Sequence, residues 1–233
     1  MPFAFTPNTG RFHVSGVGSG ARSLLLSYTG VAEGKADLRA VRYMGNGTYA
    51  HSRWEKWLQR AGLLLSAEQN VMVPRYNLRG RYDFIISHPE KKKLLIELKT
   101  IGAKALQYLT MPSDEYMTQW AIYSQEAGVP EGFIVYEERD SVTPYYYPLT
   151  LYDGNLSIFD FSGKKIDERL GFIDEIYAKI EFVIWCATTQ HFPKEQCAEC
   201  IKWGCKSPIA CADYEKNRPL ISFEEWKKQE KRI

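Results

Sequence analysis

Three ionisable residues, Asp83, Glu97 and Lys99, lie in two apolar runs, Gly80-Arg81-Tyr82-Asp83-Phe84-Ile85-Ile86 and Leu94-Leu95-Ile96-Glu97-Leu98-Lys99-Thr100. Both runs read as β-strands. Side chains alternate along a strand, so Glu97 and Lys99 share one face while Ile96 and Leu98 take the other. In the preceding run Tyr82, Phe84 and Ile86 form the apolar set and Asp83 points the opposite way. Pairing the two strands can therefore set Asp83, Glu97 and Lys99 on one side of a sheet. Two carboxylates held close repel unless one is protonated or a cation sits between them. Oxygen ligands of this kind suit Mg²⁺ or Mn²⁺, and a neighbouring lysine can orient or activate water and stabilise developing phosphate charge. Taken alone, Glu-x-Lys is more often a solvated surface ion pair, because so short a motif recurs by chance.

Two further elements bear on that pocket. His51 follows Gly47 and shares a helix with Ala50, Trp54 and Leu58, whose apolar face must pack on the sheet. An imidazole there is either a hydrogen-bonded core residue or a third ligand for Mn²⁺ or a similar metal. Gln119 and Tyr123 stand at i and i+4, on one helix face. Tyr116, Tyr123 and Ala127 read as a core stripe, yet a glutamine among them can donate to and accept from a phosphate or a base.

The elements that must position these groups are legible in outline. Ala21 to Tyr28 is a short helix. From Thr48, Ala50, Trp54, Leu58 and Ala61 recur at helical spacing until Gly62, and Gly47-x-x-x-His51 opens that helix. Strands follow at about 69–76, 80–87 and 93–100, the last two joined by His88-Pro89-Glu90-Lys91-Lys92. Ser113 caps a helix carrying Asp114 and Glu115 in its first turn and ending near Ala127, before Gly128 and Pro130. Phe133–Tyr136 and Tyr145–Leu149 are further strands, and a long helix spans about 165–190. This order predicts an α/β fold built on a mixed sheet.

Gly47-x-x-x-His51, Gly80-x-x-Asp83, Glu97-Leu98-Lys99-Thr100 and Gln119-x-x-x-Tyr123 stand in the order and approximate spacing of the RecB-type nucleases of the PD-(D/E)XK superfamily, which this chain resembles over residues 44–123. Tyr82 occupies the position of the proline in the superfamily's name. The resemblance implies a restriction-endonuclease-like mixed β-sheet flanked by helices, with a metal held by the equivalents of His51, Asp83 and Glu97. Lys99 is then the catalytic lysine, and Gln119 with Tyr123 contributes to DNA contacts and site geometry. The implied activity is that of an Mg²⁺- or Mn²⁺-dependent deoxyribonuclease hydrolysing phosphodiesters with a metal-activated water. Exonuclease action on single-stranded or end-exposed DNA is the commoner implication. The alternative is a catalytically silent DNA-binding or assembly module with a structural metal cluster, which the retention of Asp83, Glu97 and Lys99 disfavours.

Five cysteines all lie after residue 185, and Cys197-x-x-Cys200-x4-Cys205-x5-Cys211 gathers four of them within fifteen residues. Thiolates so close bind zinc or an iron–sulfur cluster, and on spacing alone zinc fits at least as well. The resemblance, here to the iron–sulfur CRISPR-associated and AddB-like exonucleases, implies a [4Fe–4S] cluster. In those relatives a fourth cysteine usually precedes the nuclease motifs, and this chain has none before Cys186. The four downstream thiols are the preferred ligand set, with Cys186 as the alternative, since it sits in the apolar run Phe182-Val183-Ile184-Trp185 where a buried thiol is common. Either way the metal is read as a structural staple.

The remaining arithmetic bounds the partners. In 233 residues, 30 Lys and Arg oppose 28 Asp and Glu, so a net charge of +2 does not itself indicate nucleic acid. Local clusters exist at Arg75, Arg79 and Arg81, at Lys91-Lys92-Lys93 and at Tyr145-Tyr146-Tyr147. An aromatic content of 14% argues against disorder. The apolar run Phe182–Ala187 falls far short of the ~20 residues of a membrane-spanning helix. No signal peptide is read at the N-terminus, and the cysteine usage points to a reducing, cytoplasmic compartment. The expected organisation is an N-terminal segment (1–43) packing on the core, a nuclease core (44–190) and a cysteine-rich metal-cluster segment with a charged tail (191–233). DNA is the expected partner, without a membrane, and protein partners in recombination, CRISPR adaptation or phage DNA processing stay open.

Overall fold

The computed structural model describes residues 10–30, 38–90, 92–195 and 208–230. In chain order they form β1 (Phe12–His13), α1 (Val14–Val17), α2 (Ala21–Tyr28), α3 (Leu38–Arg60), β2 (Leu64–Ala67), β3 (Asn70–Val73), β4 (Leu78–Arg81), β5 (Phe84–Ser87) and β6 (Lys93–Ile101). They continue with α4 (Ala103–Leu106), α5 (Asp114–Ala127), β7 (Glu131–Glu138), β8 (Pro144–Tyr152), β9 (Asn155–Phe159), β10 (Lys165–Arg169), α6 (Phe172–Thr189), β11 (Phe192–Pro193), α7 (Pro208–Asn217), β12 (Leu220–Ile221) and α8 (Phe223–Glu230). The chain divides into two compact units, one of residues 36–72 and 79–173, the other of 1–35, 73–78 and 174–233.

The first unit is built on a seven-stranded sheet of order β10-β9-β8-β7-β6-β5-β2. Neighbours run antiparallel except β6 and β7, which are parallel with Glu97 opposite Ile134 and Lys99 opposite Tyr136. A parallel pair needs a crossover, and α5 supplies it. Ser113 accepts the Tyr116 amide at 3.4 Å, Asp114 and Glu115 sit in the first turn, and Gly128 ends the helix in the left-handed region at φ 63°. Gly132 lets β7 close on β6: a Cβ there would lie 1.9 Å from the Leu95 carbonyl oxygen. Ala50 and Leu58 of α3, with Trp54 beside them, pack on Phe84, Ile96, Leu98 and Val135. Strand alternation turns Glu97 and Lys99 to the opposite face. There α5 buries Met117, Trp120 and Ala121, and Trp120 Nε1 donates to the Leu95 carbonyl at 3.3 Å.

Three sequence expectations need correction. Helix α3 begins at Leu38, so Gly47 and His51 lie inside it rather than at its opening. Glycine costs only about 1 kcal/mol in a helix interior, and a Cβ at Gly45 or Gly47 would meet nothing within 4 Å. The long helix starts at Phe172 instead of near 165, because Lys165–Arg169 pairs with β9 and Gly171 turns at φ 61° between them. Its amide donates to Asn155 Oδ1 at 2.7 Å, which fixes that turn. The run 80–87 is two strands, with Tyr82 and Asp83 in the break.

In the second unit, Arg22 of α2 is only 3% exposed and ties distant segments together. It donates to the carbonyls of Pro193 and Lys194 at 2.7 and 2.8 Å, and pairs with Glu215 at 3.1 Å. Its guanidinium lies 3.9 Å from Cys211 Sγ on α7 and 4.9 Å from the Phe192 ring centroid. Phe182, Phe223 and Trp226 cluster where α6 and α8 meet. Cys186 is buried in α6, and burial pushes its thiol up to about 12. Cys197, Cys200 and Cys205 lie outside the described residues. Among the described residues no helix is long and apolar enough to cross a membrane.

Candidate active site

Strand β6 outruns its partner. The β5–β6 ladder pairs Phe84 with Ile96 and stops there, and the chain leaves the sheet at Asp83. The Leu98 amide thus loses a strand partner, and Asp83 Oδ2 accepts it at 2.7 Å. That bond fixes a buried carboxylate at the opening of the ladder. Asp83 Oδ1 lies 3.4 Å from His51 Nδ1, which α3 delivers. Glu68, in the turn between β2 and β3 at φ 52°, reaches the same imidazole nitrogen at 3.5 Å. Its amide donates to the Asp83 carbonyl at 2.9 Å, and its second oxygen pairs with Arg81 at 2.7 Å. One ligand atom each from His51, Glu68 and Asp83 falls within 4.8 Å of the others, a spacing that one divalent ion can bridge.

Glu97 is fully buried on the α5 face of β6. Its Oε1 accepts Lys99 Nζ at 2.5 Å, whereas Oε2 is buried with no hydrogen-bond partner among the described residues. Lys99 also donates to Gln119 Oε1 at 3.1 Å and lies 4.8 Å from the Tyr116 ring centroid. Gln119 Nε2 reaches Tyr123 OH at 3.5 Å, and that hydroxyl accepts the Arg81 amide at 3.1 Å.

The electrostatics leave one buried cation facing two buried acids. Burial first, then the Asp83 charge, raises Glu97 far above the ordinary carboxylate range, and Lys99 only partly opposes them. Burial also raises Asp83, against the pull of Lys99 and the Leu98 amide. For Lys99, burial disfavours the charged amine, but Glu97 and Asp83 outweigh it and hold the proton more tightly than usual. A bound divalent cation would remove the excess negative charge and occupy the unpartnered Glu97 oxygen, so the donor set fits Mg²⁺ or Mn²⁺. Tyr123 is pushed up to about 12, chiefly by burial, and is a neutral phenol at physiological pH.

His51 thus meets Asp83, and Glu97, Lys99, Gln119 and Tyr123 form one hydrogen-bonded chain. Glu97 is not in the three-residue ligand group, where Glu68 stands instead. Sequence reading missed Glu68, although it is the one acidic residue between Glu55 and Asp83. Of the basic clusters, Arg81 pairs with Glu68, Arg75 with Glu181, and Lys92 with Glu90 and Glu131.

No protein-family profile matches the chain, and no curated protein matches it in sequence. Its fold is shared with solved structures. An alkaline exonuclease, LHK-Exo from Laribacter hongkongensis, superposes with a TM-score of 0.50 at 15% identity, covering 80% of this chain and 92% of that one. LHK-Exo in complex with dAMP gives 0.51 at 14% identity, with 80% and 92% covered. At these identities the likeness is one of fold: a large mixed sheet flanked by helices.

Proposed function

We propose that the chain is a divalent-metal-dependent DNA nuclease, an exonuclease acting on single-stranded or end-exposed DNA. The observation that carries this reading is a fully buried glutamate bonded to a lysine at 2.5 Å, beside the aspartate that caps the opened β6 ladder. The shared fold with an alkaline exonuclease, one of whose structures holds dAMP, supports the same reaction class.

His51, Asp83 and Glu97 would hold Mg²⁺ or Mn²⁺, with Glu68 as a further ligand. When bound, the ion supplies Lewis-acid polarisation of the phosphodiester and makes a nearby water more acidic. Lys99 is held protonated, so it acts as a donor to a phosphate oxygen and stabilises charge that develops there. Gln119 sets the direction of the Lys99 amine, and the Arg81 amide with Tyr123 fixes Gln119 in turn. The four-cysteine segment is proposed to bind an iron–sulfur cluster or zinc as a structural staple. Iron, sulfide and zinc analysis with a visible spectrum of anaerobically purified protein separates the two.

Labelled single- and double-stranded DNA incubated with Mg²⁺, Mn²⁺ or EDTA tests the activity. Cleavage that needs a divalent ion and disappears in Glu97→Gln and Lys99→Met is the expected result. Metal-loaded protein that cuts nothing, with Glu97→Ala binding DNA as the wild type does, would establish the silent module instead.

A further inference from the structure

Helix α3 presents its apolar stripe, Ala50, Trp54 and Leu58, to the sheet, and its opposite face has a different character. Residues Arg42, Tyr49, Arg53, Lys56 and Arg60 recur at helical spacing on that outer side, with Trp57 at its margin. The whole helix carries five Arg or Lys residues against the single acid Glu55, within a chain whose net charge is +2. Tyr49 is 74% exposed and Trp57 46% exposed, and Arg42, Lys56 and Arg60 are exposed too. Two hollows meet on this face. One, of about 320 Å³, is lined by Tyr49, Arg53, Lys56, Trp57 and Arg60. The other, of about 400 Å³, shares Tyr49 and Arg53 and continues to Arg139 and Thr100, the residue after Lys99 on β6.

Arg53 is committed to structure. It pairs with the buried Glu137, which also accepts Trp54 Nε1 at 2.7 Å, and its guanidinium lies 5.4 Å from the Trp57 ring centroid. These contacts hold the aromatic platform, leaving Arg42, Lys56 and Arg60 to meet anions. Two acids line the second hollow, Glu137, which Arg53 pairs, and Asp140, so the positive field is strongest along the helix. Exposed rings interleaved with cations suit a strand whose bases are unstacked: rings take base faces and cations take phosphates. A duplex hides its base faces and offers such rings nothing.

We infer that the outer face of α3 is a docking track for single-stranded DNA, leading along the helix to Thr100 at the C-terminal end of β6. This rests on the nuclease reading for its choice of DNA, and its test is kept separate from catalysis. The full chain is titrated in EDTA against a fluorescein-labelled oligothymidylate of roughly 12 nucleotides, and against a duplex of equal length, by anisotropy at several salt concentrations. The expected result is tighter binding of the single strand. Lys56→Glu with Arg60→Glu weakens it at least ten-fold and makes the negative slope of log K against log salt shallower by about 1.4. Tyr49→Ala weakens it about five-fold or more. Lys56→Gln with Arg60→Gln, checked by circular dichroism, serves if the charge reversal does not fold. Wild-type affinity in these variants, a preference for the duplex, or no binding by the wild type each overturns the track. Metal-dependent cleavage measured on the same preparations reports on the nuclease reading independently.

Discussion

Replacing Glu97 by glutamine keeps the shape of a buried side chain while removing its charge, and the metal-free protein is where that charge matters most. Burial and the Asp83 carboxylate raise Glu97 from 4.5 to about 8. Between those two values the folded protein holds a proton that the unfolded chain has released. Stability in EDTA is therefore fully present below about pH 4.5 and is lost as pH rises through about 8. Each pH unit of displacement is worth about 1.4 kcal/mol, so the ceiling for this one group is about 5 kcal/mol. Asp83, raised from 3.8 to about 6, adds loss of the same sign at the lower end, and the two acids release their protons as a coupled pair. Lys99 is raised above an already high ordinary value, so it stays charged in both states across this window and leaves the slope alone. Thermal denaturation in EDTA at pH 5, 6.5 and 8 measures the effect. The wild type should lose roughly 3 °C or more across the range, and Glu97→Gln should lose much less. Mn²⁺ should restore the wild type at pH 8 and do little for the variant. An unchanged slope in Glu97→Gln, or stability that climbs with pH, would refute a glutamate held against its charge.

Other expectations concern parts of the molecule that do no chemistry. Gly132→Ala drives a methyl to 1.9 Å from the Leu95 carbonyl oxygen, so β7 must move away from β6; urea denaturation should show a loss of about 3 kcal/mol or more. Arg22→Ala strips the Pro193 and Lys194 carbonyls of their donor and leaves a hole beside Phe192. Calorimetry should record a loss of about 2 to 4 kcal/mol, and Arg22→Lys should not restore it, since one ammonium cannot reproduce the fork. Trp54→Phe removes the 2.7 Å donor to Glu137 Oε2, which should cost about 1 to 3 kcal/mol in the same assay while metal-dependent cleavage survives.

Local rules carried the reading a long way, and their limits are physical. Period-two alternation put Glu97 and Lys99 on one face of β6, and the i, i+4 relation put Gln119 over Tyr123; both need only the geometry of one element. Capping chemistry at Ser113 and Gly128 bounded α5 correctly. Asp83 was less legible, because its place depends on where a ladder stops. That is decided by pairing with β6, and the break at Tyr82–Asp83 leaves no signal of its own in an apolar run. Glu68 was invisible for a related reason: a turn glutamate becomes a neighbour of His51 only once β2 joins the sheet beside β5.

The outer face of α3 was hidden for a different reason, because its evidence lay in the same residues that were already in use. A helix has one periodicity but two sides. Ala50, Trp54 and Leu58 mark the side that the sheet covers, and they account for the helix from Thr48 onward. Tyr49, Arg53, Lys56 and Arg60 follow the same period half a turn away and add nothing to the choice between helix and strand. Their information is electrostatic, and a whole-chain charge of +2 averages it out against acids placed elsewhere. Net charge is thus the wrong scale on which to ask about nucleic acid: an exposed phosphate beyond a Debye length of about 8 Å barely senses charges elsewhere on the protein. The relevant quantity is charge per helix face, and on α3 it is set by a phase relation that folding against the sheet exposes. The same packing that seats His51 beside Asp83 turns the basic stripe outward, so the candidate metal site and the proposed track are consequences of a single helix orientation.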